Sequence, residues 1–219
     1  MAYSCILWDV DGTIADASAG IMPRLRKVFA SYGLPEPDAA ELSLWIGPPM
    51  HESFQLRAGL DEQRAHEAVD RYRELAKADG YAASVTIYPG VPELLREVRD
   101  AGIPQSTAST KPENQVRAIL DHYELTDLFT AISGARPVPE GRADGKAFVI
   151  AQALERLRAA GVDTSRPVLI GDRHHDVDGA AEHGIPVIFV DWGFGEPQEA
   201  EHAHQKVSDT VALRRALLH

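Results

Sequence analysis

The sequence has a single cysteine, little positive charge and no long hydrophobic run. Cys5 has no second cysteine to pair with, which excludes an internal disulfide, and its place in an apolar run makes packing its expected role. No window approaches the roughly 18 consecutive apolar residues of a membrane helix. Residues 1–10 lack a basic stretch, a long apolar run and a small-residue cleavage site, so no signal peptide is expected and the cytoplasm is the expected location. The 22 Lys and Arg are outnumbered by 33 Asp and Glu, a net charge of −11. That field disfavours nucleic acid and anionic membranes as partners. It also repels phosphorylated small molecules, so any anion site has to be built locally from a metal, a lysine and backbone N–H groups.

The chain has 219 residues, 44% of them hydrophobic and 25% charged, enough for one α/β domain or a core with a small accessory domain. Short apolar runs alternate with helical periods, the pattern of a parallel sheet flanked by helices. Strands are expected at residues 4–8, 103–109, 128–133, 168–170 and 186–190. Helices are expected at 91–101, 112–123 and 146–160, the last after a polar loop at 137–145. Residues 16–87 break the rhythm. Ile21, Leu25, Val28, Phe29 and Tyr32 form one apolar stripe, and residues 62–78 a long charged helix, with no convincing strand. This block reads as an inserted all-helical domain with hinges near 15–18 and 88–90.

Two motifs carry chemistry. Asp9-Val10-Asp11-Gly12-Thr13 directly follows the first strand, and a backbone turn at Gly12 would bring both carboxylates into one site. Gly171-Asp172-Arg173-His174-His175-Asp176 repeats the arrangement after residues 168–170. In an open parallel sheet, ligands sit beyond the carboxyl ends of the strands, so Asp9, Asp11, Asp172 and Asp176 are expected to converge there. Four carboxylates at one rim require a hard dication, and oxygen-only ligation fits Mg2+. Ser109-Thr110-Lys111 precedes a helix N-terminus, a place suited to a phosphate oxygen. Lys146, at the start of the next helix, could neutralise both a phosphate and a nucleophilic carboxylate. For the His174-His175 pair, packing, hydrogen bonding or surface exposure is expected, and for Gly193-Phe194-Gly195 a turn.

The order and spacing of these motifs resemble the haloacid dehalogenase superfamily, in particular its phosphoglycolate phosphatase-like branch. The resemblance rests on Asp9-x-Asp11-Gly12-Thr13, a Ser/Thr at a strand end, a later Lys and Gly171-Asp172-x-x-x-Asp176. Ile46-Gly47-Pro48-Pro49 and Tyr88-Pro89-Gly90 are similar too. It implies a Rossmann-like α/β core of residues 1–15 and 88–219, with a helical cap domain of 16–87 inserted after the first strand. It also implies a Mg2+-dependent hydrolase of a small phosphorylated metabolite, working through an aspartyl-phosphate. Asp9 would be the nucleophile, with the Val10 carbonyl offered to the metal, and Asp11 the acid and base. Ser109 would supply the phosphate-binding hydroxyl, with Thr110 the alternative in an ambiguous register. Lys146 would balance charge, and Asp172 and Asp176 would hold the metal. Gly12 and Thr13 are expected among the phosphate-binding residues. The loop 46–50, with His51 and Arg57 nearby, is the expected contact for the leaving group. Two other readings stay open: a phosphosugar mutase using the same aspartyl-phosphate, and a non-catalytic protein that binds a phosphorylated ligand.

Overall fold

The computed structural model describes residues 3–136 and 144–218. Most of the polar loop 137–145 lies outside the described residues. In chain order the elements are β1 (Cys5–Trp8), β2 (Ala15–Asp16), α1 (Ser18–Ser31), α2 (Ala39–Ser43), α3 (Met50–Leu56), α4 (Glu62–Asp79) and β3 (Thr86–Ile87). There follow α5 (Val91–Asp100), β4 (Gln105–Thr107), β5 (Ser109–Pro112), α6 (Glu113–His122), β6 (Gly134–Ala135) and α7 (Lys146–Ala159). The last are β7 (Pro167–Gly171), α8 (His174–Ala181), β8 (Val187–Val190), β9 (Gln205–Val207) and α9 (Thr210–Leu218).

Five strands form one sheet in the order β4-β1-β7-β8-β9, every neighbouring pair parallel. β1 lies between β4 and β7, and all four of its residues are buried. A strand covered on both faces needs apolar side chains at odd and even positions alike, which is why it reads as a continuous run. Ile6 and Trp8 face a core shared with α5, α6 and α9, while Cys5 and Leu7 face a second core made with α7 and α8.

β4 is the unusual strand: Gln105, Ser106 and Thr107 are polar yet buried. Buried polar groups survive only when hydrogen-bonded. Gln105 accepts from Trp8 Nε1 at 3.0 Å and donates to the carbonyls of Leu95 at 2.9 Å and Leu128 at 3.1 Å. Pro104 lies just before the strand, where its missing N–H breaks no ladder bond.

The strand expected at 128–133 does not form. Thr126–Leu128 is a 3-10 turn, Ala131 makes one isolated bridge to Ser106, and the nearest strand is β6, paired with β5. The backbone of that stretch is satisfied otherwise. The Thr107 hydroxyl donates to the Ser133 carbonyl and accepts from the Ser133 N–H, both at 2.8 Å, and the Thr130 N–H donates to the Gln105 carbonyl. β9 was not expected from the sequence.

Between β2 and β3, which pair antiparallel as a two-stranded ribbon, lie the four helices α1–α4. The segment 16–87 is therefore not wholly helical: the ribbon occupies its edges. Asp38 and Asp61 cap α2 and α4 by accepting the N–H groups of Glu41 and Arg64. Phe29, Trp45 and Phe54 meet edge to face inside this block, with ring centroids 5.3 Å apart for Phe29–Trp45 and 5.0 Å for Trp45–Phe54.

Candidate active site

The sheet register brings the chemistry together. The Asp9 N–H donates to the Ile170 carbonyl at 2.9 Å, and the Ala108 N–H to the Trp8 carbonyl at 2.7 Å. The carboxyl ends of β1, β4 and β7 are thereby level, so Asp9, Ser109 and Asp172 leave the sheet side by side. After Asp9 the chain turns sharply: the Val10 carbonyl accepts from the N–H groups of Thr13, Ile14 and Ala15. That carbonyl is occupied within the turn, which corrects the expectation that it faces a metal.

Gly12 sits at φ +86°, and a Cβ there would fall 2.1 Å from an Asp172 carboxylate oxygen. Only glycine permits both the left-handed backbone and the close approach. Thr13 Oγ1 donates to Asp172 Oδ1 at 3.2 Å. The N–H groups of Gly12 and Thr13 bond to the carbonyls of Ala15 and Val10. Within the turn, then, Gly12 leaves room for Asp172 and Thr13 holds it, and the N–H groups of both are taken up by backbone carbonyls.

Asp9, Asp172 and Asp176 are buried, each with an oxygen within 4.8 Å of the others. Lys146 Nζ lies 2.8 Å from Asp9 Oδ1, 2.6 Å from Asp176 Oδ1 and 2.9 Å from the Ala108 carbonyl. Burial works against its charge, but Asp176 and Asp9 outweigh that and raise its pKa above the usual lysine value. One ammonium among three carboxylates leaves excess negative charge in a dry site. Burial first, then Asp176 and Asp9, push Asp172 well above the usual carboxylate range. Asp9 is raised by burial too, against the opposing pull of Lys146. Hard oxygen donors with unbalanced buried charge fit a divalent cation.

Asp176 earns its position through α8. Its Oδ2 accepts the N–H groups of Asp172 at 3.1 Å and Arg173 at 3.0 Å, and Gly171 leaves it room, since a Cβ there would lie 2.3 Å from Asp176 Cγ. Asp11, counted from sequence with the metal carboxylates, stands outside their group. Its Oδ2 pairs with Lys111 Nζ at 2.9 Å, while burial raises its pKa against the opposing pull of that lysine. Both side chains border a cavity of about 60 Å³, also lined by Trp45, Gly47, Met50, Tyr72 and Thr110, room for a handful of waters. Loop 46–50 thus does reach the site. Arg57 lines a different pocket, beside His174 and His175, and His51 stacks on His66 with centroids 4.3 Å apart. Ser109 is buried, its hydroxyl accepting the Lys111 N–H at 3.3 Å, whereas the Thr110 hydroxyl donates to the Gly47 carbonyl at 2.7 Å.

Sequence reasoning missed three contributors. Lys111 was seen only as part of a helix-end triplet, because nothing local shows that it pairs with Asp11. The turn 193–195 holds Asp172: the Phe194 N–H donates to Asp172 Oδ2 at 2.8 Å, and a Cβ on Gly193 would lie 2.3 Å from that oxygen. Glu199 anchors the loop after β7. It accepts from Arg173 Nε at 3.0 Å and the His174 N–H at 2.9 Å, and sits 2.7 Å from His174 Nδ1. Burial raises its pKa, but these bonds outweigh that and hold it far below the usual range. Two glycines flanking an aromatic were the only local signal.

A parallel sheet with a buried carboxylate triad and a shared lysine at its carboxyl rim is an arrangement that could hold a divalent cation. The family model described as haloacid dehalogenase-like hydrolase matches residues 6–190, and the chain belongs to that family. It is a hydrolase of the phosphatase type. It is 36% identical to a 5'-nucleotidase of Pseudomonas aeruginosa, over 99% of this chain and 96% of that one. It is 37% identical to the tyrosine-protein kinase PtkA of Mycobacterium tuberculosis, over 97% of this chain and 69% of that one. The crystal structure of a predicted phosphatase from Clostridium acetobutylicum superposes with a TM-score of 0.91 at 30% identity, over 100% of this chain and 99% of that one. Phosphoglycolate phosphatases are among its relatives as well. Among the described residues no helix is long and apolar enough to cross a membrane.

Proposed function

We propose that the protein hydrolyses a small phosphomonoester with Mg2+ as cofactor, through an aspartyl-phosphate formed on Asp9. One observation carries this reading: Asp9 lies 2.8 Å from Lys146 Nζ, inside the carboxylate group completed by Asp172 and Asp176. Asp9, Asp172 and Asp176 are the residues to hold Mg2+, which when bound neutralises and orients the phosphoryl oxygens. Lys146 keeps an anionic Asp9 in place as the nucleophile.

An Asp9 oxygen attacks phosphorus, the bond from phosphorus to the leaving oxygen breaks, and the protonated Asp11 carboxyl passes its proton to that oxygen. Asp11, now a carboxylate, takes a proton from water. The resulting attack on phosphorus frees phosphate and restores Asp9. Asp11 suits the role because it is buried, stands apart from the metal carboxylates and borders the cavity where a leaving group would sit. The Ser109 hydroxyl holds a phosphoryl oxygen while Lys146 supplies the fixed counter-charge beside it, and the helical segment 16–87 acts as a cap that excludes water. A buried, unpaired Cys5 fits a reducing compartment, the cytoplasm.

The test is phosphate release from p-nitrophenyl phosphate and from a panel containing phosphoglycolate, 5'-nucleotides, phosphotyrosine and hexose phosphates. Turnover is expected to require Mg2+, to stop with EDTA and to fall about a thousandfold or more in Asp9→Asn. No phosphate from any substrate removes the reading. A hexose phosphate returned as its isomer without free phosphate puts the mutase in its place.

A further inference from the structure

Arg173 is the least expected buried side chain in the molecule. It follows a proposed metal ligand on a polar loop, yet is only 2% exposed. A buried guanidinium requires partners. Its Nε donates to Glu199 Oε2 at 3.0 Å, and its Nη1 donates to the carbonyl of Ile46, across the boundary into the helical segment. One residue further on, the Gly47 carbonyl accepts from Thr110 Oγ1 at 2.7 Å. Two separate segments, strand β5 and the loop after β7, thus grip consecutive carbonyls of the short connection between α2 and α3.

The backbone there is shaped for the contact. Gly47 sits at φ +102°, and a Cβ on it would fall 2.8 Å from Arg173 Cγ, so the arginine stem lies flush against the glycine. Glu199 fixes the same guanidinium through its Nε. The Arg173 N–H in turn donates to Asp176 Oδ2 at 3.0 Å. With the connection gripped in this way, the cavity beside Asp11 holds only about 60 Å³. Gly47 belongs to the cavity wall, so movement of the connection widens the space open to a phosphomonoester, and both bonds are of a kind that water replaces on opening.

We propose that Arg173 and Thr110 are positioning residues forming a two-point clasp on Ile46 and Gly47, which shuts the cap over Asp11 and lets go for exchange of substrate and product. Through its own N–H bond to Asp176, Arg173 also ties closure to the loop that carries the metal carboxylates. Thr110 is then committed to the clasp, which leaves Ser109 as the hydroxyl for phosphate. The clasp rests on the phosphatase reading only for its purpose; its primary readout is independent of turnover.

Hydrogen–deuterium exchange of the full chain, with and without Mg2+, tests the proposal on wild type, Thr110→Val, Arg173→Lys and Gly47→Ala, each first checked for an intact melting transition. Exchange in a peptide covering residues 44–50 is expected to rise about tenfold in each variant, one hydrogen bond's worth of opening, while peptides covering β1 and β7 stay unchanged. In wild type, Mg2+ is expected to slow exchange at 44–50, and in Arg173→Lys that slowing is expected to be lost. If Arg173→Lys or Gly47→Ala does not fold, Thr110→Val carries the test alone. Unchanged exchange at 44–50 in the folded variants overturns the clasp. So does loss of turnover in Thr110→Val without faster exchange, because Thr110 is then the phosphate hydroxyl. Faster exchange in a protein that hydrolyses nothing leaves the clasp standing and removes only the phosphatase reading.

Discussion

Two lysines serve two regions of the site in different ways. Lys146, at the carboxylate rim, has its ammonium within 2.9 Å of three acceptors, Asp9, Asp176 and the Ala108 carbonyl. Lys111, at the cavity beside loop 46–50, has Asp11 Oδ2 at 2.9 Å and borders free space. An ammonium has three donors. Lys146 has one acceptor for each and is built into the fold, whereas Lys111 keeps donor capacity for a ligand. The same side chain is thus a fixed counter-charge in one region and a group available to substrate in the other.

The widest separation between the two should come from removing each charge. Lys146→Met leaves Asp9 and Asp176 without their cation in a dry site, and breaking a buried pair in this way costs about 3–5 kcal/mol. For a chain of this size that lowers Tm by about 10 °C, and it should remove turnover as Asp9→Asn does. Lys111→Met should lower kcat/KM about tenfold to a hundredfold with a loss in Tm of only a few degrees, because Asp11 can be rehydrated from the cavity. Thermal melts and steady-state kinetics on the two variants check the contrast. Equal losses of Tm would erase it.

A smaller effect, of opposite sign, sharpens the account of the rim. Burial, Asp176 and Asp9 raise Asp172 above its unfolded pKa of 3.8. For such an acid the folding penalty is absent below about 3.8 and complete above the folded pKa. Asp172→Asn should therefore melt a few degrees higher than wild type at neutral pH without metal, and the gap should close as the pH falls toward about 4. Mg2+ should raise the Tm of wild type and leave Asp172→Asn unmoved. A metal-free variant that melts below wild type at neutral pH would mean that Thr13 and Phe194, which both bond to Asp172, already compensate its charge.

The smallest effect concerns the two hydroxyls after β4. Ser109→Ala should lower kcat/KM about tenfold to a hundredfold with little change in Tm, since its hydroxyl accepts only one long bond, from the Lys111 N–H at 3.3 Å. Kinetics on Ser109→Ala beside Thr110→Val decide which of the two meets phosphate.

Much of the fold was readable because local pattern and tertiary role agree. β1 and β7 read as strands because both of their faces are covered, so every position is apolar. β4 read weakly, since its polarity is answered by Trp8, Leu95 and Leu128, which are distant in sequence. The segment 128–133 misled for the converse reason: it has apolar, β-branched content, but the Thr107 side chain takes both backbone groups of Ser133, and the N–H groups of Thr130 and Ala131 share one carbonyl, that of Gln105. In the site, the two aspartate motifs stood out by spacing. Lys111, Arg173, Glu199 and Phe194 did not, because each acts on a partner that only the folded chain brings within reach.

The sequence by itself determined the parallel sheet, the helical insertion and the aspartates at strand ends, since hydrophobic period and turn-forming glycine are local properties of the chain. Only the tertiary structure decided how those charges are shared: which lysine meets which aspartate, which glycine makes room for a carboxylate, and that Arg173 and Thr110 bond to the carbonyls of Ile46 and Gly47. Pairing energies in a dry interior depend on separations of a few ångströms between residues far apart in the chain, and no local pattern records such distances.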